Sequence, residues 1–398
     1  MSRNSTIEVA PVPRARLEYF ATIYLLSVVF IRGNVPARRV LYMLCLVVLV
    51  CSLLLLYRHT NVEPPAIPLG KVVQIPVPLG LPPVPIPADN PPTEETIALG
   101  RRLYYDAALS VDSTISCASC HNPQLGFADA KCVSNGVGGK TGVRNSPTVL
   151  NSAYLSLQFW DGRAPSLEKQ SEGPVANPVE MAHSLKGVVQ RLSEDPSYVA
   201  AFEKAFGPGP ITYEKVEKCI ASFERTVLSG DSAFDRYYYG HDQAAMTAEQ
   251  IRGFAVFRDP KKGNCEFCHT VGEKFALFTD NKFHNIGVGF NAGSTTDQGR
   301  FVITKQVRQT GAFRTPTLRN VELTAPYMHD GSLKDMKQVM DFYIGAGNSN
   351  PYLDKEIHSL DFLTRQERDD LLEFMKALNG TIPPNVGPPE VTAAHVAN

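Results

Sequence analysis

The sequence predicts a mainly α-helical protein of two similar domains packed together, preceded by an N-terminal transmembrane helix and a proline-rich tether. Three observations carry that expectation: two copies of one short motif, an amphipathic helix before each copy, and an uncharged apolar run near the amino terminus. The motifs are Cys117-Ala118-Ser119-Cys120-His121 and Cys265-Glu266-Phe267-Cys268-His269. C-x-x-C-H is the attachment pattern of a c-type haem, in which two thiols one helical turn apart add across the porphyrin vinyl groups and the following histidine binds one face of the iron. Two copies imply two covalently bound haem c groups, hence two cytochrome c-like domains.

A four-cysteine zinc site is the alternative. It fails on spacing, because about 145 residues separate Cys120 from Cys265, against about 15–20 in a compact zinc ribbon. It also leaves His121 and His269 unexplained. With 43% hydrophobic residues among 398, the chain can bury two ordinary cores, and each haem adds an apolar group for a core to form around. Basic and acidic residues balance, 39 against 40, with no long basic run, which argues against a nucleic-acid partner.

Arg38-Arg39 precede Val40 to Tyr57, an uncharged apolar run of about 18 residues that is just long enough to span a bilayer as a helix. Arginines on that side favour a cytoplasmic amino terminus and place everything after Arg58 outside. No small-residue cleavage site follows Tyr57, and Val50 stands where a lipobox at Cys51 would need a small residue, so an uncleaved anchor is expected. Attachment of c-type haem also takes place outside the bacterial cytoplasm. Both signals point to a single pass through the inner membrane, with the haem domains in the periplasm.

The expected division is a tail and anchor over residues 1–60, a proline-rich linker over 61–92, a first haem domain over 93–245, a second over 246–385, and a tail over 386–398. The linker is too rich in proline for a helix or a central strand, so it reads as an extended tether. Thr93 to Leu103 has helical spacing at Ile97, Leu99 and Leu103. Thr247 to Phe257 repeats the arrangement before the second motif, opened by a capping box of Thr247 and Gln250. Thr364 to Leu378, capped by Thr364 and Glu367, is the terminal helix expected to cross the second domain's first helix. Ser332 is expected to cap a further helix whose stripe includes Met336, Val339, Met340 and Tyr343.

Further blocks lie around the motifs. Arg144-Asn145-Ser146-Pro147-Thr148, Phe159-Trp160-Asp161-Gly162-Arg163, Gly173-Pro174 and Glu180-Met181 fall between them. Phe283-His284-Asn285, Arg314-Thr315-Pro316-Thr317-Leu318-Arg319-Asn320 and Leu323-Thr324-Ala325-Pro326-Tyr327-Met328-His329-Asp330-Gly331 follow the second. From about Pro82 to Gly380 the chain resembles the bacterial dihaem cytochrome c peroxidase/MauG family, over both haem motifs and every block just quoted.

The resemblance implies a division of labour. The first haem, on His121, is the peroxide site; the second, on His269, is the electron-transfer site. A peroxidase needs an open iron face and a nearby group that moves a proton between the peroxide oxygens. By the family's spacing that group is Glu180, while Gln170 and Pro174 fall among the residues lining the peroxide pocket. Trp160, the one tryptophan, falls where the family has its interhaem residue. Many relatives hold the resting peroxide iron with a histidine at the place where this chain has Val137. Valine cannot ligate iron, so the first haem is expected to be open without prior reduction, as in the MauG branch. The far-side ligand of the second haem falls on Tyr343, with Met340 and Met328 as thioether alternatives. Asn145, Thr324 and Pro326 match the family's calcium site, and hard oxygen ligands suit Ca²⁺. His284 matches a family histidine of no assigned role, and Cys132 and Cys219 are left over, free to pair or to stay apart.

The first expectation is therefore a dihaem peroxidase. It reduces hydrogen peroxide at the N-terminal haem with electrons relayed through the C-terminal haem from a small cytochrome c, a cupredoxin or a protein substrate. The alternative is a membrane-tethered dihaem electron-transfer cytochrome without peroxide chemistry, against which Glu180 and Val137 both speak. A haem-based sensor would need an output domain, and none is visible in the sequence.

Overall fold

The structure, a computed structural model, describes Tyr42, residues 44–52 and residues 66–389. Tyr42 and residues 44–52 are helical. The rest of the expected membrane span lies outside the described residues, and no helix among the described ones is long and apolar enough to cross a membrane. The chain from Ala66 onward is one compact unit.

Twelve helices belong to that unit, in chain order α1 (Glu94–Tyr105), α2 (Cys117–Cys120), α3 (Leu167–Gln170), α4 (Glu172–Ala176), α5 (Leu185–Glu194), α6 (Pro196–Phe206), α7 (Tyr213–Glu224), α8 (Ala233–Tyr238), α9 (Ala248–Arg258), α10 (Phe301–Thr304), α11 (Met336–Ile344) and α12 (Arg365–Lys376). Two short strands, β1 (Phe283–His284) and β2 (Phe313–Arg314), pair antiparallel. The capping boxes at Thr247/Gln250 and Thr364/Glu367 form as the sequence predicts, and Thr93 makes another with Thr96. At α11 the cap is Asp335, which accepts from Gln338 N, and not Ser332: a carboxylate directly before the first helical residue reaches the free amides that Ser332 cannot.

Two crossed pairs of helices organise this unit, one leading to each haem motif. In the first, α1 crosses α7; in the second, α9 crosses α12. Both crossings bring backbone against backbone, which glycine alone allows. A Cβ on Gly100 would stand 1.8 Å from Cys219 O, and one on Gly253 would stand 1.9 Å from Asp370 O. Behind the first crossing lie Leu99, Leu103, Val188, Phe202, Val216 and Ile220; behind the second, Phe234, Phe254, Phe257, Phe278, Leu371 and Phe374. Helix α8, on the first-domain side of the expected boundary at residue 245, packs into the second core through Phe234.

The repeat reaches past the helices. Asn151 and Asn320 both take left-handed backbone before a single 3-10 turn. Farther on, antiparallel bridges Gln158↔Ala164 and Tyr327↔Leu333 enclose Phe159-Trp160-Asp161-Gly162 and Met328-His329-Asp330-Gly331. Phe159 and Met328 have positive φ, as do Gly162 and Gly331. The two turns are equivalent features of the two domains.

The proline-rich segment is extended, but from residue 66 it is not a free tether. Proline removes donors and leaves carbonyls in need of partners, and both domains supply them. Tyr154 donates to Pro82 O, Arg225 to Pro85 O, and Arg319 with the Ala276 amide to Gly80 O. Arg319 also grips Asp235 of α8 through two bonds of 2.8 Å, both side chains fully buried. The segment bonds to residues around both crossed helix pairs. It also covers α7, which is buried along its whole length from Lys215 to Glu224.

Gly253→Val forces α9 away from α12, and a loss of roughly 3 kcal/mol or more is expected from overpacking at a backbone contact, read by urea unfolding of the haem-loaded protein. A second expectation concerns Glu224. Burial pushes its carboxyl up to about 8, with Glu168 reinforcing and Arg225 opposing. Between roughly pH 4.5 and 8 the folded chain keeps a proton that the unfolded chain has released, so stability falls as pH rises through that window and levels off above it. Glu224→Gln removes this component, and unfolding curves at pH 5 and pH 9 compared between the two proteins measure it.

Candidate active site

Each haem motif forms one turn. Ser116 and Ser119 cap α2, and the His121 amide donates to Cys117 O at 3.0 Å. In the second motif Asn264 enters with φ 49°, and the His269 amide donates to Cys265 O at 2.9 Å. The shared bond puts two thiols on one side with the histidine following.

The ring of His269 is oriented by its Nδ1, 2.9 Å from Phe278 O. A carbonyl can only accept, so Nδ1 carries the proton and Nε2 keeps its lone pair for a metal. Burial lowers the pKa of both His269 and His121, which holds each imidazole in its neutral, ligating form. His121 Nδ1 is buried with no protein partner.

Around His269 opens a cavity of about 260 Å³. Its walls include Cys265, Cys268, Phe257, Phe313, Leu371 and Met375, mostly apolar as a porphyrin requires. Tyr343, Met340 and Met328 line it too, so all three residues considered for the far side of the second iron face the same space. The Tyr343 hydroxyl has no protein hydrogen-bond partner among the described residues, and burial beside Cys265 and Cys268 raises its pKa. Arg314, 4% exposed, also lines the cavity. Among the described residues its guanidinium has no carboxylate partner and Nε is unbonded, and burial lowers its pKa to about 10. A buried cation without an anion is costly, and a haem propionate is the group that would meet it. The residues therefore fit a haem held by Cys265, Cys268 and His269. Once bound, each haem supplies an iron able to take up and pass on single electrons.

Beside the first motif stands Glu180. Its Oε1 accepts from Asn177 Nδ2 at 2.6 Å. Burial raises its pKa, against the hydrogen bond from Asn177 and the charge of Arg163. The loop bearing Val137 lies across it: Val137 N donates to Glu180 O at 2.8 Å, and a Cβ on Gly136 would come within 2.2 Å of Val179 O. Ser134, at the start of this loop, reaches Cys120. From Val133 to Val143 the loop holds no histidine, methionine or cysteine, and its Lys140 is bonded to Pro178 O. Pro174 O accepts from Met181 N at 3.1 Å, which ties α4 to the residue after Glu180. Gln170 ends α3, and no hydrogen bond joins its side chain to this cluster.

The Gln158–Ala164 turn connects the two sites. Trp160, 8% exposed, lines the cavity of the second motif and donates to Asn145 O at 2.8 Å. Arg163 lies over the Phe159 ring, which in turn meets Gly173 of α4. Arg314 N donates to Trp160 O, Arg300 to Asp161 O and Gly162 O, and Arg144 joins Asp161 to Asp297. Asn145, Thr324 and Pro326 line one cavity. Asn145 Nδ2 donates to Lys131 O at 2.9 Å, which directs its amide oxygen elsewhere.

His284 is bound on both sides, by Asp354 at 2.5 Å and Asp280 at 3.0 Å, and is held protonated to about 11. Sequence reasoning missed Arg314 as a candidate haem contact, because a single arginine in the Arg314 to Asn320 block carries no local sign of its burial. Cys132 and Cys219 remain free, the first exposed and the second buried at the crossing of α1 and α7.

Residues 94–243 match the family model for di-haem cytochrome c peroxidase. The chain is 40% identical over 296 residues to the methylamine utilization protein MauG of Methylorubrum extorquens, covering 74% of this chain and 81% of that one. Cytochrome c551 peroxidase of Pseudomonas aeruginosa is 36% identical, with 74% and 81% covered. Among solved structures, a MauG-like protein associated with microbial copper homeostasis superposes with a TM-score of 0.70 at 34% identity, over 76% of this chain and 95% of that one. The two haem motifs, the cavity around His269 and these similarities together make the chain a member of the dihaem cytochrome c peroxidase family, an oxidoreductase built around two c-type haems.

Proposed function

We propose that hydrogen peroxide is reduced at the first haem, on His121, with Glu180 taking a proton from one peroxide oxygen and returning it to the other. The observation that carries this reading is the half-buried carboxyl of Glu180, held by Asn177 under a loop with Val137 where a ligand would otherwise stand. Two electrons and two protons turn one peroxide into two waters. Trp160, fixed by Asn145 O at the wall of the second cavity, is suited to pass those electrons on from the second haem. Tyr343 is our choice for the far-side ligand of that haem, because its hydroxyl lacks any protein partner while it lines the cavity. Gln170 and Pro174 belong to the peroxide pocket in this reading. Asn145, Thr324 and Pro326 offer oxygens for a Ca²⁺ between the domains, water completing its shell.

Electrons come from a small cytochrome c, a cupredoxin or a protein substrate. The apolar run Val40 to Tyr57 anchors the protein in the inner membrane with its haem domains in the periplasm. A protease-protection assay on spheroplasts checks that topology, and a domain found in the cytoplasm would defeat it.

The diferric protein is expected to show a high-spin signal in electron paramagnetic resonance and to react with peroxide without prior reduction. A wholly low-spin, peroxide-indifferent protein would leave an electron carrier. Glu180→Gln is expected to slow the peroxide reaction by roughly a hundredfold, the usual worth of a positioned proton-transfer group, with haem content unchanged. Because burial raises the pKa of Glu180 and the carboxylate must accept the proton, the rate falls as pH drops through that raised value. An unaltered rate in the variant would remove Glu180 from the mechanism.

A further inference from the structure

Phe159 is a bulky residue in left-handed backbone, φ 69°, a conformation that costs free energy and persists only where its surroundings impose it. Its ring abuts α4, where a Cβ on Gly173 would stand 2.8 Å from Phe159 Cζ. The guanidinium of Arg163 covers the same ring, 3.5 Å from its centroid. Helix α4 is tied in turn to Glu180. Asn177 N donates to Gly173 O at 3.0 Å, Glu180 N to Asn177 O at 3.0 Å, and Met181 N to Pro174 O at 3.1 Å. A cation is thus stacked on the ring that meets the helix leading into Glu180.

Arg163 is also the less closely paired cation of its group. Both oxygens of Asp161 lie 3.2 Å from its Nη1, but the same carboxylate stands 2.6 Å from Arg144 Nη1. Arg144 further takes both oxygens of Asp297, at 2.7 and 2.9 Å. Asp161 is therefore shared, with the shorter bond to Arg144. Burial raises the pKa of Glu180, and the Asn177 bond and the Arg163 charge oppose it. Of the other titratable groups near this carboxyl, burial keeps Cys120 of α2 and His183 neutral, and the Lys140 ammonium of the covering loop is bound to Pro178 O at 3.2 Å.

We propose that Arg163 is a positioning residue of the peroxide reaction: its charge, fixed on the Phe159 ring beside α4, holds the Glu180 carboxyl ionised and ready to take the peroxide proton. The guanidinium keeps its own protons throughout, so it takes part in no transfer. Its side chain is 37% exposed, so water screens part of its field and the effect is moderate. This rests on the reading that Glu180 moves the proton between the peroxide oxygens.

The test follows the reaction of the full haem-loaded protein with hydrogen peroxide by stopped-flow absorbance across pH, in the wild type, Glu180→Gln, Arg163→Gln and Arg163→Lys, all normalised to haem content. In Arg163→Gln the acid limb of the profile is expected to move to higher pH, with a roughly three- to tenfold loss on that limb and a smaller loss above it. Arg163→Lys keeps the charge without the planar fork and returns the limb towards its original place. A limb that stays put in Arg163→Gln overturns the proposal, and so does an equal loss at every pH, which is the mark of an arginine that only holds the turn. A limb displaced as far in Arg163→Lys as in Arg163→Gln overturns it too. Should Arg163→Gln take up no haem, the wild type supplies the readout: rising ionic strength moves the limb the same way, and a limb fixed against salt defeats the proposal. Glu180→Gln separates the two readings. If it reacts as fast as the wild type, the role of Glu180 fails and Arg163 falls with it; if it is slowed while the limb of Arg163→Gln is unmoved, Arg163 alone is wrong.

Discussion

Backbone contact between crossing helices is the constraint on which both haem sites depend. Where Gly100 meets Cys219 O and Gly253 meets Asp370 O, no side chain separates the helices, so neither crossing can slide without a steric clash. Each crossing in turn fixes the end of the helix that leads into a haem motif. Tyr104, at the end of α1, bonds the carbonyl of His121, and Phe257, at the end of α9, forms a wall of the cavity around His269. A covalent haem has little freedom to adjust once two thioethers and an imidazole hold it. Packing without intervening side chains leaves the scaffold equally little freedom to shift around it.

Polar atoms left without partners show where that scaffold expects company. Arg314 Nε is buried and unbonded, and it lines the cavity around His269. Leaving one buried polar atom unpaired costs about 1–3 kcal/mol, and more when it is charged. A chain would not accumulate such costs around an apolar cavity unless something bound there offset them. The Arg314 guanidinium has only a carbonyl from Thr315 among the described residues.

Much of this was legible in the sequence, and the reasons differ by element. The haem motifs and the helices around them announce themselves through short-range signals: a five-residue pattern, a capping box at Thr247, apolar positions at helical spacing. Glu180 and Trp160 were reachable only through family spacing, since a lone carboxylate and a lone indole carry no local signal of role. The proline-rich segment was misjudged for a physical reason. Proline density correctly excludes helix and sheet, but it says nothing about whether distant donors such as Arg225, Tyr154 and Arg319 will find the carbonyls that proline leaves free. The cap of α11 falls on Asp335 and not on Ser332, since the backbone turns at Gly331 and the helix begins only at Met336.

The repeat shows where the two domains have parted. Trp160 and His329 occupy equivalent places in equivalent turns, and Asn145 joins them: its carbonyl accepts from Trp160 Nε1, and its amide donates to His329 O. Both rings line the second cavity, and the imidazole stacks on Phe313 at 3.5 Å and is kept neutral by burial, down to about 4. An indole can lose an electron without first losing a proton, and a neutral buried imidazole cannot do so nearly as easily. Identical backbone turns thus present an oxidisable ring from the first domain and an inert one from the second. Asn145, bonded to both turns, is the residue whose displacement would disturb them at once.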